Sequence, residues 1–222
     1  MTEDEWLTCT DPEKMLGFLE GRASERKLRL FACACCRRIW RLLVDERSRQ
    51  AVELSERFAD GQATSEELAA AAYAATGAVH DRQGGSNAPA YAAADPTTIG
   101  AFIAADYADA AASAAVRDAM RTEPWRSTTI RNVEERHQTL LLRDLFGPLP
   151  FRPIALNPSS LTFAVKGVAQ ALYADRPFDQ LPVLADALED AGCDNSDILR
   201  HCRGRGPHVR GCWALDLILG KE

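Results

Sequence analysis

Cysteine and histidine residues are concentrated near the C-terminal end of the chain. The sequence has seven cysteines and four histidines, and five of them lie in one short stretch: Cys193, His201, Cys202, His208 and Cys212. Thiolate sulfur and imidazole nitrogen are ligands that zinc prefers in proteins. The stretch therefore predicts a zinc site, and zinc is the cofactor that these residues would suit.

The elements around these residues decide which of them could meet. A helix predicted from about Pro207 to Leu219 would place His208 and Cys212 four residues apart on one face. His201 and Cys202 end the preceding helix, and because they are adjacent we expect only one of them to face the site. The spacing matches no standard zinc pattern. In the alternative interpretation the cysteines are small core residues and the histidines cap helices or face solvent.

A cysteine beside a histidine could also perform nucleophilic chemistry. Cys193, next to Gly192 at the start of a helix, is the best candidate nucleophile, with His201 or His208 as its base. No signature of a cysteine hydrolase surrounds these residues. We therefore assign no catalytic residue. The sequence leaves open whether the protein is an enzyme, and it favours one that is not.

Basic residues suggest a third chemistry, the binding of an anion. Four arginines flank a glycine-rich turn and could offer guanidinium groups to a phosphate: Arg200, Arg203, Arg205 and Arg210. A helix predicted from Ser24 to about Val44 also carries a basic face. Such a face usually lies in solvent and pairs with acids, here for example Glu53 and Glu56. The net charge of 26 − 32 = −6 does not favour nucleic acid as a partner.

Three further cysteines, Cys33, Cys35 and Cys36, lie in the segment FACACCRRIW of the same predicted helix. Metal-ligating cysteine pairs usually lie in turns, whereas these would lie in the middle of a helix. We expect them to fill a close helix–helix contact. An iron–sulfur or redox role would need a fourth ligand, for which Cys9 is the candidate.

The cysteine count and the lack of apolar runs indicate the compartment. Seven cysteines is an odd number, and the acidic N-terminal segment has no apolar core of a secretory signal. No apolar run approaches the roughly 18 residues that a membrane span needs. We expect reduced thiols, a cytoplasmic protein and no membrane association.

Helix start and stop signals recur along the chain, and no alternating β-branched run is present. The sequence predicts an all-α fold, an irregular bundle of about eight to ten helices. Two capping boxes begin at Thr10 and Thr64. We predict an N-terminal helical bundle over 1–147, with an Ala-rich middle that includes a loop at 84–90 and a helix at about 96–120. The segment 148–222 is expected to form a C-terminal helical subdomain with the Cys/His cluster, packed with the bundle as one unit.

Several long motifs are similar to those of one family of bacterial proteins. They are RKLRLFACACCRRIW near the start, and LRDLFGPLPFRPIALNPSSLT and LADALEDAGCDNSDILRHCRGRGPHVRGCW in the C-terminal half. In these segments the chain resembles a family of uncharacterised planctomycete proteins. The resemblance implies a bacterial origin, and it implies no activity and no catalytic residue.

The function that the sequence favours is a non-enzymatic cytoplasmic interaction module that binds another protein. Trp6 and Trp125 are the aromatic residues expected to be exposed for such a partner. The alternatives are a zinc-binding protein or enzyme that uses the C-terminal Cys/His cluster, and a binder of phosphate or nucleic acid through the arginine-rich turn at 200–210.

Overall fold

The computed structural model describes residues 1–81 and 127–221, together with Ser113 and Val116. This part of the chain contains ten α-helices and no strand, which confirms the all-α prediction. The loop predicted at 84–90 and nearly all of the helix predicted at 96–120 lie outside the described residues, as does Trp125. No helix in the described part is long and apolar enough to cross a membrane.

The ten helices follow one another with short turns between most of them. They are α1 (Glu3–Thr8), α2 (Pro12–Leu19), α3 (Glu25–Arg38), α4 (Glu46–Ala59), α5 (Ser65–Asp81), α6 (Ser127–Phe146), α7 (Phe163–Asp175), α8 (Leu181–Asp190), α9 (Ser196–Cys202) and α10 (Trp213–Leu219). The helix that the sequence predicts from Ser24 to about Val44 is shorter. It ends at Arg38 and is followed by a 3-10 turn over Trp40–Leu42.

The chain divides into two compact units, an N-terminal unit that contains Glu3–Thr139 and a C-terminal unit that contains Leu140–Glu222. The division falls inside α6, whereas the sequence places its domain boundary at 147/148, in the Pro-rich segment. All residues of the predicted Cys/His cluster belong to the C-terminal unit.

In the N-terminal unit, α4 packs against both α3 and α5. Cys33, Cys35 and Cys36 are buried in α3, and burial raises the pKa of the Cys33 thiol to about 12. Among the described residues, none of these cysteines belongs to a group of metal-ligating side chains. They fill the core as small apolar residues do.

Two arginines of the basic helix α3 are paired with acids. Arg37 donates to Glu56 through Nε (3.1 Å) and Nη2 (2.8 Å). Arg38 donates to Glu134 through Nε (3.2 Å) and Nη2 (3.1 Å). Both carboxylates are buried. The expected pairing of this face with acids is therefore present at these positions, and these guanidinium groups are already engaged.

Trp6 does not offer a surface to a partner. Its side chain is 0% exposed, and its ring lies 6.2 Å from the ring of Phe18, centroid to centroid. The prediction of an exposed Trp6 is wrong because the largest apolar side chain of α1 gains most from burial.

In the C-terminal unit, α7 to α10 enclose one core. Its apolar side chains include Val165, Ala169 and Leu172 of α7, Leu181, Leu184 and Leu188 of α8, Ile198 of α9, and Leu215 and Ile218 of α10. Side chains cap two of the helices: Thr162 accepts from Val165 N–H at the start of α7, and Asn195 accepts from Ile198 N–H at the start of α9. Capped in this way, α9 holds a fixed position beside α10.

Candidate metal centre

Asp144 lies near the end of α6, among apolar residues. Leu141, Leu142 and Leu145 are buried beside it, and Asp144 itself is only 4% exposed. A carboxylate at such a depth costs free energy unless it is hydrogen-bonded or paired with a charge. Its position in an apolar stripe therefore indicates that partners lie close by.

Gly147, the residue that follows α6, fixes where this helix end lies in the unit. Its φ of +52° is one that L-residues rarely adopt. A Cβ atom at this position would lie 2.5 Å from Cδ1 of Trp213, the first residue of α10. The indole therefore packs directly on the glycine backbone, and the end of α6 lies against the start of α10.

Two histidines and a cysteine reach Asp144 from two other chain segments. His201 is in the last turn of α9. His208 lies in the non-helical segment before α10, and Cys212 is the residue that immediately precedes that helix. The predicted helix from Pro207 is therefore wrong at its start, and His208 and Cys212 do not share a helix face.

Asp144 also accepts a hydrogen bond from the backbone of this non-helical segment. The backbone N–H of Val209 donates to Asp144 Oδ2 at 2.9 Å. In a helix that began at Pro207, this N–H would be one of the unsatisfied groups of the first turn. Here a buried carboxylate from another helix satisfies it, and His208 beside it turns toward the same carboxylate.

Four side chains bring one ligand atom each into a small volume. The atoms belong to Asp144, His201, His208 and Cys212, and all of them lie within 4.8 Å of one another. Within residues 1–81 and 127–221 this is the single group of its kind. The structure thus places three of the five predicted zinc ligands together and adds an aspartate.

The separations within the cluster suit either hydrogen bonds or a metal ion. They are 2.7 Å from His208 Nδ1 to Asp144 Oδ1, 3.0 Å from His201 Nε2 to Cys212 Sγ, and 3.3 Å from His201 Nε2 to Asp144 Oδ1. A tetrahedral zinc with bonds of about 2.0–2.3 Å holds its ligand atoms roughly 3.3–3.8 Å apart. Shifts of about 1 Å would convert this spacing into that of a zinc site.

Asp144 and His208 form a hydrogen-bonded pair in which each group favours the charged form of the other. Burial alone would raise the pKa of Asp144, but hydrogen bonds with His201 and His208 outweigh it, so the pKa lies below its ordinary value. Burial alone would lower the pKa of His208, but its hydrogen bond to Asp144 and the charge of that group raise it above its ordinary value. The second ring nitrogen of His208, Nε2, lies 3.3 Å from the carbonyl oxygen of Gly204.

His201 has a different partner. The indole Nε1 of Trp213 donates to His201 Nδ1 at 3.0 Å, and the two rings lie 5.0 Å apart, centroid to centroid. The His208 ring meets the His201 ring edge-on, with centroids 4.9 Å apart. Aromatic packing and the indole hydrogen bond together hold His201 in place.

Cys212 is the sulfur ligand that this cluster offers. Its side chain is completely buried. Burial, and next the negative charge of Asp144, raise the pKa of its thiol well above the ordinary value. A thiol with a raised pKa is a poor nucleophile, and a metal ion would be needed to hold it as a thiolate.

The two other predicted ligands lie in the hydrophobic core. Cys193 and Cys202 pack among the apolar side chains of the C-terminal unit, and neither belongs to the four-residue group. Burial raises the pKa of Cys202 to about 12. Adjacent residues at the end of one helix point in different directions, and here His201 is the one that faces the cluster.

The arginine-rich turn is partly neutralised. Arg203 donates to Asp186 at 2.8 Å and to Glu189 at 2.9 Å, both on α8. Arg210 lies over the ring of Tyr173, 5.0 Å from its centroid. Two of the four predicted anion-binding arginines therefore already have partners within the unit.

Asp144 is the member of the cluster that the sequence did not reveal. The segment LLLRDLF does carry a signal, because Asp144 is a lone acid in an apolar helical stripe. Acids at core positions are rarely buried unless they are paired. That signal indicates a buried partner without telling which one.

No protein-family model, curated protein or solved structure matches the chain.

Proposed function

We propose that the C-terminal unit binds a divalent transition metal ion, zinc foremost, at the cluster of Asp144, His201, His208 and Cys212. The observation that carries the proposal is the convergence of four ligand atoms, from three separate chain segments, within 4.8 Å. One oxygen, two nitrogens and one sulfur form a mixed donor set that suits zinc, whereas magnesium and calcium prefer oxygen alone.

The surroundings of the cluster support a metal more than they support catalysis by a free thiol. The ligating carboxylate is itself anchored, because its second oxygen accepts the Val209 N–H. Hydrogen-bonded ligands of this kind are typical of metal sites. Cys212, in contrast, has the raised thiol pKa of a buried group, which is unfavourable for a nucleophile.

A cytoplasmic location is part of the proposal. All seven cysteines are free. The reducing environment of a cytoplasm would keep Cys212 as a thiol, available to bind a metal. The predicted protein partner and the predicted phosphate or nucleic-acid contact remain predictions. The burial of Trp6 and the pairing of Arg203 with acids remove part of the support for each.

The test is elemental analysis of the purified full chain, followed by loading with zinc and with cobalt. We expect about one zinc ion per chain. With Co²⁺, thiolate ligation gives a sulfur-to-metal charge-transfer band in the near ultraviolet. Bound zinc at 1,000 times its Kd would add about 4 kcal/mol to the stability of the chain, and a chelator would remove that gain.

A matched pair of cysteine variants makes this test specific. Cys212 and Cys202 are both completely buried in the same core, and only Cys212 belongs to the cluster. We expect Cys212→Ala to lose the charge-transfer band and most of the metal affinity, and Cys202→Ala to keep both. If wild type binds no metal, or if the two variants lose it equally, the proposal is wrong.

A further inference from the structure

The two histidines of the cluster differ in the hydrogen-bond partner of the ring nitrogen that faces away from the cluster. This difference affects which of them can bind a metal. A neutral imidazole has one nitrogen that carries a proton and one that carries a lone pair, and only the lone pair can bind a metal. The partner of the outer nitrogen therefore decides whether the inner nitrogen is free to coordinate.

His208 has the partner that a metal ligand needs. Its Nε2 faces the carbonyl oxygen of Gly204 at 3.3 Å, and a carbonyl can only accept. This nitrogen therefore carries a proton, and Nδ1, 2.7 Å from Asp144 Oδ1, is the atom that can lose its proton to solvent and bind a metal through its lone pair. A ligating histidine that donates its other N–H to a backbone carbonyl is a common arrangement in metal sites.

His201 has the opposite partner. An indole N–H can only donate, so His201 Nδ1, 3.0 Å from Trp213 Nε1, must accept. The proton of the His201 ring then sits on Nε2, the atom that points into the cluster. Trp213 is buried and its indole lies against Gly147, and this packing holds the indole N–H beside His201 Nδ1.

We infer that three residues, Asp144, His208 and Cys212, coordinate the metal, and that His201 donates its Nε2–H to the Cys212 thiolate instead of binding the ion. This inference rests on the proposed function. The donor is in place, because His201 Nε2 lies 3.0 Å from Cys212 Sγ and 3.3 Å from Asp144 Oδ1. His201 is thus a positioning residue that stabilises the charge of two ligands.

Three protein ligands leave one coordination position of a tetrahedral ion to water or to a small anion. That is the arrangement of catalytic zinc sites, whereas structural sites use four protein ligands. The side chain of His201 is 17% exposed, compared with 7% for His208 and 3% for Asp144, so we expect the open position on the His201 side of the cluster. The ligand class of the site is therefore a small monodentate anion, of which hydroxide and azide are examples.

The experiment compares the same substitution at the two histidines in the full chain. Glutamine keeps an N–H donor near the place of Nε2 and is a poor zinc ligand. We expect His201→Gln to bind one zinc ion per chain within about 10-fold of the wild-type Kd, and His201→Phe, without a donor, to bind it about 10- to 100-fold more weakly. His208→Gln is expected to lose more than 100-fold.

Two readouts on wild type do not depend on whether a variant folds. Azide should shift the visible bands of the Co²⁺-loaded chain, because it enters the fourth position. Long-range ¹H–¹⁵N NMR spectra should show the His201 proton on Nε2 both with and without zinc.

The results separate this inference from the proposed function. If azide leaves the spectrum unchanged and both glutamine variants lose the metal equally, the site has four protein ligands; this inference is then overturned and the proposed function stands. If wild type binds no metal, both are overturned.

Discussion

The contact between Gly147 and Trp213 allows a prediction whose magnitude follows from the structure. Gly147→Ala forces an L-residue to a φ of +52°, which costs about 1–2 kcal/mol. The new Cβ also meets Trp213 Cδ1 at 2.5 Å and Nε1 at 2.6 Å, and overpacking of this kind costs about 1–3 kcal/mol more. We expect the free energy of unfolding to fall by about 2–5 kcal/mol, the sum of the two ranges.

Gly192→Ala is the matched control. Gly192 belongs to the same unit and has a φ of +80°, but a Cβ atom there meets nothing within 4 Å. This variant should therefore show the backbone cost alone, about 1–2 kcal/mol. The effect of alanine on the unfolded chain is common to both variants and cancels in their difference.

The assay is urea unfolding of the full chain, followed by circular dichroism and extrapolated to zero denaturant. Zinc affinity is measured on the same samples, and it should change only in Gly147→Ala, because only there is the indole displaced from His201. If the unfolding free energies of the two variants agree within about 0.5 kcal/mol and both bind zinc equally, then the indole does not pack on Gly147. The indole is then not held beside His201 and does not fix its tautomer.

Three other predictions concern charge and thiol reactivity. Asp144→Asn removes a buried charge at constant shape and should lower the free energy of unfolding in urea by about 1–3 kcal/mol. Asp194 is exposed, so Asp194→Asn should change it little. Equal effects would contradict the buried pairing of Asp144 with His208. With Ellman's reagent at pH 8, the half-buried Cys9 should react rapidly and the six buried cysteines only in denaturant, and a second fast thiol would show that one of them is accessible. Arg38→Ala leaves the buried Glu134 carboxylate without this partner and should cost about 1–3 kcal/mol of unfolding free energy. Arg203→Ala breaks only exposed pairs and should change the urea midpoint little; a larger effect at Arg203 than at Arg38 would refute this order.

Local signals predicted most of the helix starts because those signals act within a few residues. Thr64 and Glu67 form a reciprocal capping box, with Thr64 N–H donating to Glu67 at 2.8 Å and Glu67 N–H donating to Thr64 at 3.2 Å. Ser24 likewise caps α3. The capping box predicted from Thr10 is wrong in its position, because the N-cap of α2 is Asp11, whose side chain accepts from the Lys14 N–H. Such contacts are encoded by residue type and spacing alone, so the all-α fold could be predicted without tertiary information.

The start of the last helix could not be predicted in this way. The segment from Pro207 has a helical pattern, and Pro at a first helical position is common. In the structure α10 begins only at Trp213, and the Val209 N–H donates to a buried carboxylate on α6. This contact joins residues 65 positions apart in the chain, so residue types near Val209 could not reveal it.

The same limit applies to the chemistry of the cluster. Residue type and clustering placed His201, His208 and Cys212 among five candidate ligands, but they did not exclude Cys193 and Cys202, which lie in the core. They could not show that the two histidines are unequal, since that depends on whether the outer nitrogen faces a carbonyl or an indole N–H. The indole belongs to Trp213, which a sequence pattern classes as one more core residue. In the proposed metal site, a residue that binds no metal itself would therefore decide how many protein ligands the ion has, and whether one position stays open.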